Sequence, residues 1–175
     1  RAKTESAQHS LQQINPEVKV SLISQRLEND ALQQQINNAD VVLDCSDNFT
    51  TRFAINRACV ASQTPLVSGA AIRFEGQLAV FDKRHNNSPC YECLYSDSGR
   101  DDSQLSCSES GILPPVVGTI GTLQALEAIK LISGAGSTSH GYLHVFDGLS
   151  MDWRKLKLKP RGDCPCCGAT PPTLL

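Results

Sequence analysis

Short apolar runs alternate with helical segments over the first half of the chain. The alternation predicts parallel strands joined by helices, which is the α/β class. Asn15-Pro16 ends the first helix, because the residue before a proline disfavours α geometry. The predicted helices cover residues 2–14, 28–37 and 50–63, and the predicted strands cover residues 18–23, 40–46 and 65–71.

The pattern changes after residue 71. Residues 74–82 alternate like a strand, and residues 142–146 and 153–158 flank turn residues like a hairpin. Residues 96–110 are rich in Ser, Asp and Gly without periodicity, which predicts a mobile loop. Pro114 opens a long helix that Gly134 ends. Its buried stripe is predicted to be Leu123, Leu126, Ile129 and Ile132. We therefore expect a Rossmann-like, mostly parallel sheet with helices on both faces, extended by an antiparallel β portion.

Two CxxC pairs lie far apart in the chain. They are Cys90–Cys93 and Cys164–Cys167. Two such pairs supply the four thiolates of a tetrahedral zinc site with no open position for catalysis. The alternatives are two unrelated thiol turns or a thioredoxin-like redox site, although neither pair opens an obvious helix. The pattern favours a structural zinc clip that fastens the tail to a distant loop, with Cys166 as a bystander.

Asp47 follows the predicted strand 40–46 directly. Ligands of open α/β sheets bind beyond the carboxyl ends of the strands, and a carboxylate there suits Mg²⁺. The alternative is that Asp47 caps the next helix, and the spacing does not separate the two. Asp44, inside the strand, is expected to face packing or a backbone donor.

Three other cysteines lie outside the CxxC pairs. Cys107 stands alone in the predicted loop 96–110, where an accessible thiol is a candidate nucleophile. The alternative is an incidental surface cysteine. Cys45 and Cys59 fall in apolar elements and are expected to be inert core residues.

Length, net charge and apolar content limit the kinds of protein and partner to expect. A chain of 175 residues suits one domain, here 1–175, and a formal net charge of −2 gives no reason to expect nucleic acid or an anionic membrane as a partner. No apolar run of membrane-spanning length and no signal peptide is visible. We expect a cytoplasmic protein whose thiols stay reduced.

Several stretches together resemble the ThiF/MoeB/HesA family, the bacterial relatives of ubiquitin-activating enzymes. They are ADVVLDCSDN (39–48), PLVSGAA (65–71), GQ (76–77), CYEC (90–93), GTIGTLQALEAIK (118–130) and CPCCG (164–168). They cover nearly the whole chain in order. The stretches FDG (146–148) and WR (153–154) resemble the thiamine-pathway ThiF branch more than the molybdopterin-pathway MoeB branch.

The resemblance assigns roles to individual residues. It implies that Asp47, with Asn48, organises Mg²⁺ and ATP, and that Lys3 contacts the ATP phosphates. It implies zinc ligation by Cys90, Cys93, Cys164 and Cys167. It also matches Cys107 to the loop cysteine that becomes covalently linked to the sulfur carrier in ThiF-type proteins, a role that MoeB-type proteins do not share.

The resemblance also implies a function. The expected activity is ATP-dependent adenylylation of the C-terminal glycine of a ubiquitin-like, ThiS-like sulfur carrier, with a persulfide donor protein and a homodimeric enzyme. The alternatives are a MoeB-type adenylyltransferase and a non-catalytic carrier-binding module. The family's glycine-rich nucleotide loop, ribose-binding acid and phosphate-binding arginine precede the matched region. The sequence therefore corresponds to the C-terminal two-thirds of such an enzyme, and we expect this part alone to be inactive.

Overall fold

The computed structural model describes residues 2–95 and 111–168. The helices are α1 (Lys3–Ile14), α2 (Asn29–Asn37), α3 (Phe49–Ser62), α4 (Tyr91–Leu94) and α5 (Pro114–Ser133), and the strands are β1 (Val42–Asp44), β2 (Leu66–Ile72), β3 (Glu75–Phe81), β4 (Tyr142–Asp147) and β5 (Asp152–Lys157). The predicted loop 96–110 lies outside the described residues.

The described strands form one sheet in the order β1-β2-β3-β4-β5. β1 and β2 are parallel, with Leu43 opposite Val67, and the other three pairings are antiparallel. The α/β class and the antiparallel extension are confirmed, with parallel pairing among the described strands confined to β1 and β2. β4 and β5 form the predicted hairpin.

Helices cover both faces of the sheet, as predicted. Leu66, Ala79 and Phe81 pack with residues of α2 and α3, such as Ile36 and Phe53. The strand residues next to them point the other way, because successive side chains of a strand alternate between faces. Val67, Leu78 and Val80 form a second cluster with Leu123 and Leu131 of α5. The central strands are therefore buried on both sides, which explains their continuous apolar runs.

The predicted buried stripe of α5 is wrong except for the partly buried Leu123. Leu126, Ile129 and Ile132 are 50–64 % exposed. The face that packs on the sheet carries Val116, Ile120, Gln124, Glu127 and Ala128. Two of these buried residues are polar and hydrogen-bond to neighbouring elements, so hydrophobicity alone selects the wrong face of the helix.

α5 is also long and apolar enough to cross a membrane by length and composition, with 20 residues and a mean hydropathy of 1.3. The expectation that the chain contains no apolar segment of membrane-spanning length is therefore too strict. Its contacts with β2 and β3 account for the apolar residues on one face, whereas Leu126, Ile129 and Ile132 stay exposed on the other.

Residues 18–23 do not form the predicted strand. Val18 and Ile23 are exposed, at 55 % and 39 %. A strand requires hydrogen-bonded neighbours, and none of the five described strands pairs with this segment.

Candidate functional site

A cleft of about 300 Å³ opens at the carboxyl ends of β1 and β2. Its lining residues come from the β1–α3 turn, the end of β2, the start of β3 and the α4 region; they are Asp47, Asn48, Phe49, Arg52, Ala70, Ala71, Ile72, Glu75, Gln77, Tyr91 and Tyr95. The cleft therefore combines aromatic walls with a few polar groups, the usual composition of a small-molecule site.

Asn48, not Asp47, caps α3. The Asn48 side chain accepts a hydrogen bond from the Thr51 amide at 2.8 Å, which satisfies one of the free N–H groups of the first turn. Asp47 is exposed at the rim of the cleft, and Asn48 Nδ2 donates to its Oδ1 at 3.3 Å. The capping alternative for Asp47 is wrong, and its carboxylate can face a ligand.

Arg52 fixes the turn that presents Asp47. Its Nε donates to the Ser46 carbonyl oxygen at 3.1 Å, and its Nη2 donates to the same oxygen. Burial acts to lower the pKa of Arg52, but Tyr91 and Asp44 beside it raise that pKa overall. Sequence reasoning missed this residue, although it lies on the cleft wall.

Asp44 closes the base of the same turn. Its Oδ1 accepts hydrogen bonds from the Ser46 amide at 2.9 Å and the Ser46 hydroxyl at 2.6 Å, and the residue is buried. The expectation that Asp44 faces packing or a backbone donor is confirmed. The Asp44 carboxylate and the Arg52 guanidinium therefore both hold the turn 44–47 in place through hydrogen bonds to Ser46.

A second recess of about 230 Å³ adjoins the cleft through Asp47 and Arg52. The Cys45 thiol lines it and donates to Gln124 Oε1 at 3.6 Å. Cys45 is exposed, so the expectation of a core cysteine is wrong there, whereas Cys59 is buried as expected. The turn that follows β1 carries the Cys45 side chain out of the core.

Hydrogen bonds connect three of the polar and aromatic side chains that line the cleft. The Tyr95 hydroxyl donates to Gln77 Oε1 at 2.5 Å, and Gln77 Nε2 donates to Glu75 Oε1 at 3.1 Å. These bonds fix the side chain of Gln77, whose role the sequence did not indicate.

The four CxxC cysteines form one cluster. The Sγ atoms of Cys90, Cys93, Cys164 and Cys167 all lie within 4.8 Å of one another. Neighbouring sulfurs are 3.7 Å apart between Cys90 and Cys164, and 3.4 Å apart between Cys93 and Cys167. A tetrahedron with Zn–S bonds of about 2.3 Å has sulfur–sulfur edges of about 3.8 Å. The two pairs are therefore not unrelated turns, and their spacing fits a single Zn²⁺.

The electrostatics of the cluster also fit a cation. A hydrogen bond with Cys90 and burial raise the pKa of the Cys93 thiol to about 12, and burial with Cys93 close by raises the pKa of Cys167 to about 11. A bound metal offsets the charge of thiolates that would otherwise repel one another. The Arg161 amide already donates to Cys93 Sγ at 3.4 Å.

Residues of α3 support the segment that carries Cys90 and Cys93 of the four-cysteine cluster. Asn56 is 1 % exposed, and its Oδ1 accepts a hydrogen bond from the Tyr91 amide at 2.8 Å. Arg57 pairs with the buried Glu92 through Nε–Oε1 and Nη2–Oε2, at 2.9 and 3.2 Å. The sequence did not indicate these supports, because their partners lie 35 positions away along the chain.

The predicted site residues lie in different parts of the molecule. Asp47 and Asn48 lie on the cleft, while the four cysteines form the separate cluster behind it. Lys3 is the first residue of α1, is exposed, and is not part of the cleft lining. Cys107 lies outside the described residues, so its role stays a prediction.

Comparisons with known proteins agree with the motifs. Residues 1–166 match the ThiF family. The sulfur carrier protein ThiS adenylyltransferase of Escherichia coli K12 is 45 % identical over 170 residues, which are 97 % of this chain and 66 % of that protein. The molybdopterin-synthase adenylyltransferase of Salmonella typhimurium is 41 % identical over 166 residues, which are 95 % of this chain and 66 % of that one. The chain thus spans 66 % of the length of these relatives.

Solved structures share the fold. The crystal structure of E. coli MccB with ATP superimposes with a TM-score of 0.75 at 18 % identity, covering 94 % of this chain and 51 % of that one. MccB in complex with N-formylated MccA gives a TM-score of 0.74 at 19 % identity, covering 95 % and 52 %. At this identity the likeness concerns the fold alone. The family match covers most of the chain, and the identity to both adenylyltransferases agrees with it. The chain therefore belongs to the ThiF family.

Proposed function

We propose that the whole protein adenylylates the C-terminal glycine of a ubiquitin-like sulfur carrier with ATP. The observation that carries the proposal is the exposed carboxylate of Asp47 on a cleft at the carboxyl edge of the sheet, in a chain of the ThiF family. The chain spans 66 % of its relatives' length, so the proposal concerns the whole protein and not this part alone. Residues 1–175 are proposed to belong to one adenylyltransferase domain.

In the proposed reaction the carrier's terminal carboxylate attacks the α-phosphorus of ATP. A bond forms between the carboxylate oxygen and phosphorus, the bond to the bridging oxygen breaks, and pyrophosphate leaves. Asp47 is the residue proposed to hold Mg²⁺, with Asn48 beside it, and the ion would supply positive charge against the phosphate oxygens. The protein's own contribution is positioning: Asn48 fixes the start of α3, and Arg52 fixes the turn that aims Asp47.

The walls of the cleft suit an extended peptide tail. Ala70 and Ala71 of β2 are small lining residues, and Tyr91 and Tyr95 contribute aromatic lining. Exclusion of water by these aromatic rings would strengthen the electrostatic contacts at Asp47. Lys3 is proposed to reach the phosphates in the whole protein, and Cys107 is proposed to take part in sulfur transfer from a persulfide donor.

The metal cluster is proposed to be a structural zinc site. Four thiolates complete the coordination shell, so no position remains for substrate. Its ligands flank Tyr91, and the following Tyr95 also lines the cleft, so a bound zinc would fix one wall of the reaction site.

Three further proposals follow from the family resemblance. The carrier is proposed to be of the thiamine type, supported by 45 % identity to the ThiS adenylyltransferase against 41 % to the molybdopterin-synthase adenylyltransferase. The protein is proposed to work in the cytoplasm. A homodimer is also proposed, and the exposed apolar residues of α5 offer surface for one.

Intact-mass spectrometry tests the proposed reaction. The full-length protein is incubated with Mg-ATP and a ThiS-like carrier, and the carrier should gain the mass of AMP. Asp47→Asn should reduce the rate on the order of 100-fold, because it removes the charge facing the phosphates. Asp40→Asn is the matched control, since Asp40 is exposed before the amino end of β1 rather than beyond its carboxyl end, and it should keep the activity.

Other outcomes separate the alternatives. Adenylylation of a molybdopterin-type carrier only would assign the MoeB branch, and no reaction with either carrier would favour a carrier-binding module. Cys107→Ala is expected to cost far less activity than Asp47→Ala. Equal, near-complete losses would place Cys107 in the essential chemistry.

A further inference from the structure

Large apolar side chains are exposed at the end of the sheet where two hairpins turn. The β2–β3 turn, the β4–β5 hairpin and the segment just before α5 contribute six of them, and we call this group the hairpin-end patch: Phe74, Ile112, Leu113, Leu149, Met151 and Trp153. Leu149 and Met151 are 74 % and 73 % exposed. Exposed apolar side chains that are contiguous, rather than scattered singly, mark interaction surfaces on soluble proteins.

Backbone hydrogen bonds join the three segments that carry the hairpin-end patch. The Gly148 amide donates to the Phe74 carbonyl oxygen at 2.8 Å, and the Leu113 amide donates to the Arg73 carbonyl oxygen at 3.0 Å. The ring of Trp153 stacks on a phenylalanine of β4, with the ring centroids 4.7 Å apart. The six side chains therefore belong to one end of the molecule, although they come from distant parts of the chain.

The hairpin-end patch borders the cleft. Ile72 and Glu75 line the cleft and flank the turn that carries Phe74. From Ser68, which pairs with the last residue of β1, β2 continues to Ile72, a distance of about 13 Å at 3.3 Å per residue. An extended peptide of about four residues spans the same distance. The cleft therefore leads along β2 from the patch to the turn that presents Asp47.

We propose that the hairpin-end patch is the surface on which the globular body of the sulfur carrier docks while its C-terminal tail lies in the cleft. The inference rests on the proposed function, because that reaction brings the carrier's terminal glycine to Asp47. A tail that lies along β2 leaves the rest of the carrier at the mouth of the cleft, beside the patch. The partner is thus a small domain with an apolar surface next to an extended tail.

Charged side chains surround the patch. Arg154 Nη2 lies 4.0 Å from Glu75 Oε2 at the rim of the cleft, and Asp147 pairs with Asp152 at the base of the β4–β5 turn. An apolar centre with a polar, charged rim is the usual anatomy of a protein–protein interface. The rim favours a partner that presents charges of both signs around its own apolar surface.

The hairpin-end patch is separate from the α5 surface proposed for a homodimer. Ile129 and Ile132 lie near the carboxyl end of α5, whereas Leu113 directly precedes its first residue. A helix of 20 residues is about 30 Å long, so the two surfaces lie far apart. The same protein can therefore use one surface for a second copy and the other for the carrier.

Carrier binding and turnover by patch variants test the proposal. The full-length protein is assayed with Mg-ATP and a purified ThiS-like carrier, and carrier binding is measured by calorimetry. Leu149→Ser combined with Met151→Ser should raise the KM and the Kd for the carrier about tenfold and should leave kcat and the KM for ATP unchanged. Leu156→Ser is the matched control and should keep both carrier constants. Leu156 is 49 % exposed on β5, on the opposite face of that strand from Trp153.

Hydrogen exchange gives a second readout that needs no variant, and it decides the matter if the double variant does not fold. The peptide containing residues 148–151 should exchange quickly in the free wild-type protein and several-fold more slowly with saturating carrier. Slow exchange in the free protein would mean that another part of the protein covers the patch. That result, or exchange that the carrier leaves unchanged, would overturn the proposal.

The outcomes distinguish this inference from the proposed function. Adenylylation of the carrier with the same KM in wild type and double variant would keep the function and overturn the docking surface. Carrier binding that depends on Leu149 and Met151 without AMP transfer would keep the docking surface and overturn the function. A wild type that binds neither a ThiS-like nor a molybdopterin-type carrier contradicts both. A double variant with an altered oligomeric state and an unchanged Kd for the carrier would assign the patch to a second copy instead.

Discussion

The side-chain amide of Gln124 occupies the space where a Cβ atom at Gly69 would lie. From α5, Gln124 Nε2 donates to the carbonyl oxygens of Asp44 at 2.9 Å and Val67 at 3.1 Å. One buried amide therefore ties the carboxyl ends of β1 and β2 together below the cleft. Gly69 is required for this close approach, not for an unusual backbone angle.

Gly69→Ala should lower the free energy of unfolding by roughly 1–3 kcal/mol, because the methyl group displaces a buried, hydrogen-bonded amide. Urea denaturation measures the effect. Gly118→Ala is the control: Gly118 is exposed on α5 with nothing within 4 Å of an added Cβ. That change should stabilise the protein by up to about 1 kcal/mol. Losses in Gly69→Ala and Gln124→Ala that simply add in the double variant would contradict a direct contact.

Asp82 should make stability depend on pH in the acid range. Burial acts to raise its pKa, but hydrogen bonds from the Arg84 side chain and amide, with His85 close by, lower it overall. His85 in turn stacks on His140, so two imidazoles lie near the Asp82 carboxylate. His85 belongs to the loop after β3, and His140 belongs to the segment just before β4. A folded pKa below the unfolded value of about 3.9 means that the stabilisation is complete above that value. It is lost as the pH falls through the folded pKa.

Chemical denaturation at pH values from about 6 to about 2 tests this pH dependence, because the interval spans the pKa values of carboxyl groups. Asp82→Asn should flatten the fall in stability at acid pH and should also cost stability at neutral pH. Arg84→Gln should cost stability in the wild type and little in the Asp82→Asn background, because its partner is already gone. An acid slope that Asp82→Asn leaves unchanged would rule Asp82 out as its source.

The sequence predicted elements whose signals are local. α3, β2 and α5 begin and end within two residues of the prediction, because Asn48, Pro65, Pro114 and Gly134 mark their limits. Residues 18–23 were mispredicted because a strand depends on neighbours that a local pattern does not reveal. The buried face of α5 was missed because Gln124 and Glu127 are polar, and only the packed structure shows their partners.

The residues of the candidate site also divide into those with a local sequence signal and those without one. Asp47 and the four cysteines stand in short motifs, so their positions could be read from spacing. Arg52, Asn56 and Glu92 act through contacts between distant parts of the chain, and nothing in their own neighbourhood marks them.

Metal removal should loosen the cleft as well as the four-cysteine cluster. Cys90 of the four-cysteine cluster and Tyr91 of the cleft are consecutive and almost fully buried, at 0 % and 2 % exposed. Chelation, or Cys90→Ser, should therefore lower the melting temperature and speed hydrogen exchange in the peptide containing residues 91–95. Arg57→Met should weaken metal binding by roughly 10-fold, because it frees the Glu92 side chain behind the ligands.

Cys45→Ser is the control, because it removes an exposed thiol without touching the cluster. It should keep the metal content and the melting temperature. A Cys90→Ser protein with normal melting but no activity would contradict the structural role, since it would mean that the thiol acts in the chemistry itself. Normal melting with normal exchange in residues 91–95 would instead mean that the cleft wall holds without the metal, and Asn56 and Arg57 on α3 would then be its main supports.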